Sequence, residues 1–409
     1  MLDINLIREK TNEVKQALLK RMESVDLETI IKLDDERKNI ITKVDELKAE
    51  RNKGSKGKPT PEEITNMRTL GDEIKKLDDE LKNVEENLKE KLSALPNIPA
   101  DDVSAGGKEN NKVIKTFGAK PKFDFVPKDH VELATSLGLI DYERAAKMSG
   151  AGFWIYKGDG ALLEWALLNY FIEFHRNNGY TFIIPPYLLN EDSAYVSGHL
   201  PKFRDDLYWT QDGNCLNATS EMMLGNYHRD EILSGEDLPI KYYAYSTCFR
   251  REAGSYRKEE RGMVRGHQFN KIEMFQFTTE DKSWEAFAEM VNAVEKLVEG
   301  LGLHYQTSLL AAGDASAAMS KTMDVEVWIP SMEIYKEVSS ASNALDYQAR
   351  RGNIRYKSEN GNKFVHTLNA SGLATSRLIP AILEQFQQAD GSVLVPEVLQ
   401  KFMNKKFLK

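Results

Sequence analysis

Apolar side chains in the first ninety residues recur in steps of three and four. Ile30, Leu33, Ile40, Val44 and Leu47, with Arg37 and Arg51 on the same positions, keep that alternation, and Ile64, Met67, Leu70, Ile74, Leu77, Leu81, Val84 and Leu88 resume it. This period lays one apolar stripe along each of two long helices. Between them Gly54-Ser55-Lys56-Gly57-Lys58-Pro59 cannot continue a helix, because glycine and proline both oppose it. Pro61 fits the first turn of the next helix, where its missing N–H is not needed. The pattern predicts an antiparallel two-helix coiled-coil arm, each helix about 27 residues and on the order of 40 Å long at 1.5 Å per residue. Such a hairpin has no interior for a substrate. Its tip carries Lys48, Arg51, Lys53, Lys56 and Lys58 against Glu50, which suits either a solvated turn or a phosphate-binding tip.

The pattern changes after Leu95-Pro96-Asn97-Ile98-Pro99 and Ser104-Ala105-Gly106-Gly107, where aromatic, glycine and β-branched residues become common. Residues 1–100 are therefore expected as the helical arm, 101–116 as a linker and 117–409 as a second domain. Within it Lys241–Glu252 and His267–Thr278 read as a long antiparallel hairpin across the polar Gly254–Gly262 connection. Asp324–Pro330 and Tyr335–Ser340 read as further strands, and Trp165–His175 and Arg377–Gln388 carry helical spacing. Long antiparallel strands mixed with helices predict an α+β fold.

Composition narrows the picture. Two cysteines in 409 residues exclude a disulfide framework, and Cys215 and Cys248 lack the spacing of a zinc cage. MLDINLIREK has no apolar core of a secretory signal, and no window approaches 18 uninterrupted apolar residues. A cytoplasmic protein with no membrane partner is the expectation. A net charge of −8 argues against coating nucleic acid non-specifically, though not against a local basic patch.

On the predicted hairpin, residues two apart share a face. Arg250 and Glu252 point together, as do Phe269, Lys271, Glu273, Phe275 and Phe277. One sheet face then offers a guanidinium, carboxylates and a flat ring, suited to an anion, an ammonium group and an aromatic ligand. A surface ladder of ion pairs is the plainer alternative. The sequence has no GxxxxGK[ST] loop, no HExxH set and no recognisable nucleophile triad.

Several segments taken in order resemble one family. Thr219-Ser220-Glu221, Phe249-Arg250-Arg251-Glu252-Ala253-Gly254-Ser255 and Arg261-Gly262-Met263-Val264-Arg265-Gly266-His267-Gln268-Phe269 resemble the TSE element and motif 2 of seryl-tRNA synthetases. Asp324–Trp328, Glu337-Val338-Ser339-Ser340, Gln348–Arg351 and Thr367–Ala374 resemble the rest of that catalytic domain, with Arg377 in the place of the motif 3 arginine. Pro186, and Leu200-Pro201-Lys202-Phe203 after it, resemble the motif 1 region and its sequel.

The resemblance implies a class II synthetase catalytic domain, an antiparallel sheet flanked by helices, that condenses L-serine with ATP and passes the seryl group to tRNA(Ser). Arg250, Glu252 and Arg377 would be catalytic. Thr219, Ser220, Glu221, Arg250, Glu273, Asn369 and Ser371 would bind serine. Arg250, Arg251, Glu252, Phe269, Glu337, Val338, Ser339, Ser340 and Arg377 would bind ATP, and Glu337 and Ser340 would hold Mg2+. Arg51, Lys53, Lys56 and Lys58 would bind tRNA. The resemblance also implies a homodimer, and leaves open whether tRNA(Sec) is served. The alternatives are a synthetase-like paralogue that loads a carrier protein, which would lack the arm, or a non-catalytic regulator, which would not need the charged set.

Several positions depart from the family's usual pattern. Ala370 and Ser376 stand where glycines are common, and Gly152 where an arginine is frequent. Tyr256-Arg257-Lys258-Glu259-Glu260 alters the motif 2 loop, and Pro380 falls near the start of the last predicted helix. They bear on rate and tRNA fit more than on reaction type.

Overall fold

A computed structural model describes residues 1–54, 60–252 and 262–409. Lys56 and Lys58 of the basic tip, and the altered motif 2 loop, lie outside the described residues. The chain divides into two compact units, Met1–Ile98 and Pro99–Lys409.

In the first unit α1 (Ile4–Glu9) and α2 (Thr11–Leu18) precede the hairpin of α3 (Glu28–Gly54) and α4 (Pro61–Ala94). Ile40, Val44, Ile74, Leu77 and Val84 are buried between the two long helices, with Leu33, Leu47 and Leu81 against them. The stripe is thus the seam between the helices. At the tip the α3 stripe ends in Arg51, and Ile64 of α4 stays 53% exposed. Thr60 starts α4 with a capping box: the Thr60 N–H donates to Glu63 Oε2 at 2.6 Å and the Glu63 N–H to Thr60 Oγ1 at 3.3 Å. Pro61 follows in the first turn, as its chemistry requires. At the other end Asp34, fully buried, pairs with Arg8 at 3.1 Å, Arg37 at 3.0 Å and Lys38 at 2.8 Å, tying α1 to α3.

The second unit is built, among the described residues, on an eight-stranded sheet. Its strands are β1 (Lys112–Phe117), β2 (Thr181–Ile183), β3 (Ile240–Phe249), β4 (Gln268–Thr278), β5 (Tyr305–Leu309), β6 (Lys321–Ile329), β7 (Ile334–Leu345) and β8 (His366–Ala374). They lie in the order β1-β5-β6-β7-β8-β4-β3-β2, antiparallel except for the β2/β3 pair. Ile272, Met274, Val325, Val327, Leu368 and Ala370 turn to one face. There α5 (Asp159–Asn177), α7 (Ser283–Gly300) and α8 (Thr375–Gln385) cover them with Leu163, Leu167, Phe171, Met290, Leu297 and Leu378. Phe275 and Phe277 turn to the other face and are buried against Leu224, Leu233 and Ile354. Leu224 ends the short helix α6 (Glu221–Leu224). The antiparallel hairpin and the later strands follow from the alternation; their ends move by a few residues.

The stretch expected as a linker is different. The Ala100 N–H donates to Ser320 O at 3.0 Å, Val103 is buried against Leu309 and Ala312, and Lys112–Phe117 forms the edge strand β1. Residues 101–116 therefore belong to the second unit. All six β1 residues are exposed, so the strand has no buried face to give it an apolar alternation.

Candidate active site

The β3/β4 register places Cys248 opposite Phe269, Ser246 opposite Lys271 and Ala244 opposite Glu273. Cross-strand partners share a face, so Phe269, Lys271 and Glu273 form one row and Arg250, just past β3, extends it. The Arg250 guanidinium carbon lies 5.2 Å from the centre of the Phe269 ring, and its Nε donates to Ala218 O at 3.3 Å. Glu252 is held at φ +52° with its carboxylate against Arg265. A non-glycine residue in that region is strained, which is tolerated mainly where a site fixes it. The plainer alternative, a solvated ladder of ion pairs, does not fit: Lys271 and Glu273 are 5% and 2% exposed.

Arg377 reaches the same cleft from α8. Its Nη1 donates to Glu337 O at 2.8 Å and lies 3.4 Å from Glu337 Oε2, while Nε donates to Val264 O at 3.2 Å. Glu252, Phe269, Val338 and Ser371 share the lining with Arg250 and Arg377. The cleft therefore has an aromatic plate, three guanidinium groups, of Arg250, Arg265 and Arg377, and exposed carboxylate.

Lys271 closes one end. Its ammonium donates to Thr219 Oγ1 at 2.7 Å and pairs with Glu273. Beyond it Glu221 Oε1 accepts from Gln348 Nε2 at 2.7 Å and from Asn369 Nδ2 at 3.0 Å. Burial, with the charge of Glu273 second, pushes the Glu221 carboxyl up to about 7. Ser371, opposite Glu273 in the β8/β4 register, joins this end. The alternation puts Lys271 on the right face, but only the fold shows that it links Thr219 to Glu273. Gln348 carries no strand signal at all; it reaches Glu221 from a helix far along the chain.

Glu337 and Ser340 are three apart, and strict alternation would part them. A register shift beside Val338 prevents this: Glu326 pairs with Glu337, Val325 with Ser339 and Asp324 with Ser340. Asp324, Glu326, Glu337 and Ser340 therefore share one face. The Ser340 hydroxyl donates to Asp324, and burial followed by the Glu337 charge raises the Asp324 carboxyl far above its ordinary range. Ser339 goes the other way, its hydroxyl donating to Ser371 O at 2.6 Å. Two more expected residues stay out of the cleft with their side chains. The Ser220 hydroxyl donates to Ser246 Oγ at 2.7 Å in the interior, and Arg251 is exposed, its N–H donating to Asp206 O at 2.9 Å.

The departures acquire local reasons. Ala370 pairs with Met274 and Ala341 in the core, so its methyl points away from the cleft. Ser376 does line the cleft. Gly152 has φ +82°, and a Cβ there would come 2.6 Å from the His267 ring, so this backbone has no room for an arginine. Pro380 is the sixth residue of α8 rather than a first-turn residue, and offers no N–H to the Ser376 carbonyl four residues back.

Comparison with known proteins addresses the whole chain. Residues 1–99 match the seryl-tRNA synthetase N-terminal domain, and 208–386 match the tRNA synthetase class II core domain (G, H, P, S and T). Serine–tRNA ligase 2 of Clostridium acetobutylicum is 54% identical, with 99% of each chain covered. The serine–tRNA ligase of Petrotoga mobilis is 46% identical, with 100% of each covered. The solved seryl-tRNA synthetase of Pyrococcus horikoshii, complexed with ATP, superposes with a TM-score of 0.93 at 34% identity, covering 100% of this chain and 99% of that one. With both parts matched in order and the full length covered, the chain belongs to the seryl-tRNA synthetase family of class II aminoacyl-tRNA synthetases.

Proposed function

We propose that this chain is a serine–tRNA ligase that condenses L-serine with ATP to seryl-adenylate and pyrophosphate, then transfers the seryl group to tRNA(Ser). The observation that carries the reading is the cleft itself, with the Arg250–Phe269 stack and Arg377 at one end and the Lys271–Glu273–Thr219 group at the other. Adenine fits between Phe269 and Arg377, and Arg250 faces the reacting α-phosphate and serine carboxylate. That carboxylate is already ionised, so the first step needs alignment and charge neutralisation rather than a protein base. Glu252, fixed by Arg265, bounds the nucleotide end.

Thr219 and Glu221 take the serine ammonium group, and Glu273 and Ser371 its hydroxyl. Ionised Glu221 is the form that attracts an ammonium, so bound serine draws its carboxyl back down.

Magnesium takes one or two carboxylates together with phosphate oxygens rather than a protein cage. Glu337 and Ser340 suit it: on the acidic face they share with Asp324, burial first and the Glu337 charge second raise the Asp324 carboxyl, and a divalent cation would offset that crowding of carboxylates. When bound, the ion offsets charge on the leaving pyrophosphate.

The arm supplies the tRNA contacts through Arg51, Lys53, Lys56 and Lys58. A homodimer is supported by apolar surface on α5, on β2 and just after it: Leu162, Trp165, Phe182 and Ile184 are 51%, 54%, 40% and 71% exposed. Among the described residues no helix is long and apolar enough to cross a membrane, which agrees with a cytoplasmic ligase. The intact charged cleft speaks against a non-catalytic regulator, and the arm against a carrier-protein ligase.

Serine-dependent ATP–pyrophosphate exchange, run alongside charging of tRNA(Ser) and tRNA(Sec), tests the reading. Exchange with serine and not alanine is expected, because a site built for a hydroxyl rejects the analogue lacking it by about 10⁴–10⁵. Equal exchange with both amino acids would overturn the serine assignment.

A further inference from the structure

Two polar side chains of α5 lie under the cleft floor without entering it. α5 packs Leu163, Leu167 and Phe171 on the sheet face of Ile272 and Met274, opposite to that of Lys271 and Glu273. Glu164 and His175 point to the same buried side, about three turns apart. Glu164 is 2% exposed, and its Oε1 accepts from Asn270 Nδ2 at 2.8 Å and from Thr375 Oγ1 at 2.7 Å. Asn270 stands between Phe269 and Lys271, and Thr375 opens α8 two residues before Arg377. One oxygen thus joins the strand that bears the aromatic plate to the helix that bears the opposing arginine. Burial pushes this carboxyl up to about 7, so it costs stability that a leucine would not, and packing alone gives no reason for it.

His175, fully buried, donates its Nε2–H to Gly372 O at 2.6 Å. Gly372 lies where the β8/β4 register shifts, between Ser371 and Ala374. A Cβ at that position would come 2.4 Å from His175 Nε2, so the contact requires glycine. The adjacent Ser371 carbonyl is held by the Ser339 hydroxyl. Two side-chain donors therefore fix the irregular step of β8 that presents Ser371.

We propose that Glu164 and His175 are positioning residues of the adenylation site, Glu164 setting the Phe269–Arg377 clamp for the nucleotide and His175 setting Ser371 for serine. The proposal rests on the function given above and adds to it a division of labour under the floor: one residue per substrate.

The test is serine-dependent ATP–pyrophosphate exchange by the full chain, with KM and kcat for each substrate and a melting temperature for each variant. Glu164→Leu is expected to raise the KM for ATP about tenfold, with the KM for serine within about twofold of wild type. His175→Phe is expected to do the reverse. Glu164→Gln keeps an oxygen acceptor and His175→Gln keeps an N–H donor, so both are expected to restore most of the lost affinity. Thr375→Val and Gly372→Ala disturb the same two contacts from their other side, and decide the matter if the buried substitutions fail to fold. They are expected to show the same split, ATP for the first and serine for the second. Equal losses for both substrates, or losses that follow only the melting temperature, overturn the proposal. Wild-type chain without exchange overturns the functional reading and this inference with it; active wild type without the split overturns the inference alone.

Discussion

Arg250 has the most direct consequence of any single residue. Stacked on Phe269 and held by the Ala218 carbonyl, its guanidinium is the group proposed to face the α-phosphate, where negative charge grows in the transition state. Arg250→Ala is expected to keep its fold by circular dichroism and lose about 10²–10³ in exchange rate. Glu221 adds a pH dependence. Burial pushes its carboxyl up to about 7, so as pH falls through that value Glu221 loses its charge and would attract the serine ammonium less. The KM for serine is expected to rise below neutrality, and in Glu221→Gln to be high and flat across the same range. Steady-state exchange at several pH values reads both. Strand alternation put Arg250, Lys271 and Glu273 on one face, while Glu221, Glu337 and Arg377 were legible only through the family resemblance of their segments. Ser339 was not: an extra residue beside Val338 reverses its face, and nothing in Glu337-Val338-Ser339-Ser340 announces that shift. Glu164 and His175 were equally hidden, since their partners lie about a hundred or more residues away in sequence.

Among the elements, the arm was the easiest to read, because a 3,4 period over many turns has few other meanings. What the period does not show is the buried Asp34 among Arg8, Arg37 and Lys38. Desolvation opposes its charge, but the cations prevail and hold the carboxyl below its ordinary value. A lowered folded value stabilises the fold above the unfolded value near 3.8, and that contribution disappears as pH falls through the folded value. Asp34→Ala is expected to cost about 1–3 kcal/mol in the first unit, discounted for the partly exposed cations, and to remove this acid dependence. Thermal melting followed by helical ellipticity at pH 7 and at pH 3 measures it. An unchanged melting temperature would show that the three ion pairs add nothing.

For the whole molecule, the two units make two activities separable. The cleft proposed for exchange lies in the second unit, and the described part of the basic tip belongs to the first. Deleting residues 30–90 with a short bridge is expected to leave exchange nearly intact and abolish tRNA charging, since structured RNA is held by shape and phosphate contacts. Neutralising Arg51, Lys53, Lys56 and Lys58 is expected to weaken tRNA binding and flatten its salt dependence by about 0.7–0.9 per lost phosphate contact. Charging by the armless chain at the wild-type rate would return the tip to a solvated turn.

Strand β1 also decides where the chain can be cut. It lies along the outer side of β5 and carries Lys112, a Lys115 that pairs with Glu295 at 2.8 Å and Glu299 at 2.9 Å, and a break in register next to Val113. Charge and irregularity of that kind keep one sheet border from adding a stranger's strand. A chain trimmed to begin at Pro99 keeps this selvedge. One trimmed to begin at Gly118 bares the β5 backbone, and is expected to form aggregates at concentrations where the longer piece stays monodisperse by light scattering. If both pieces scatter alike, β1 is dispensable trim.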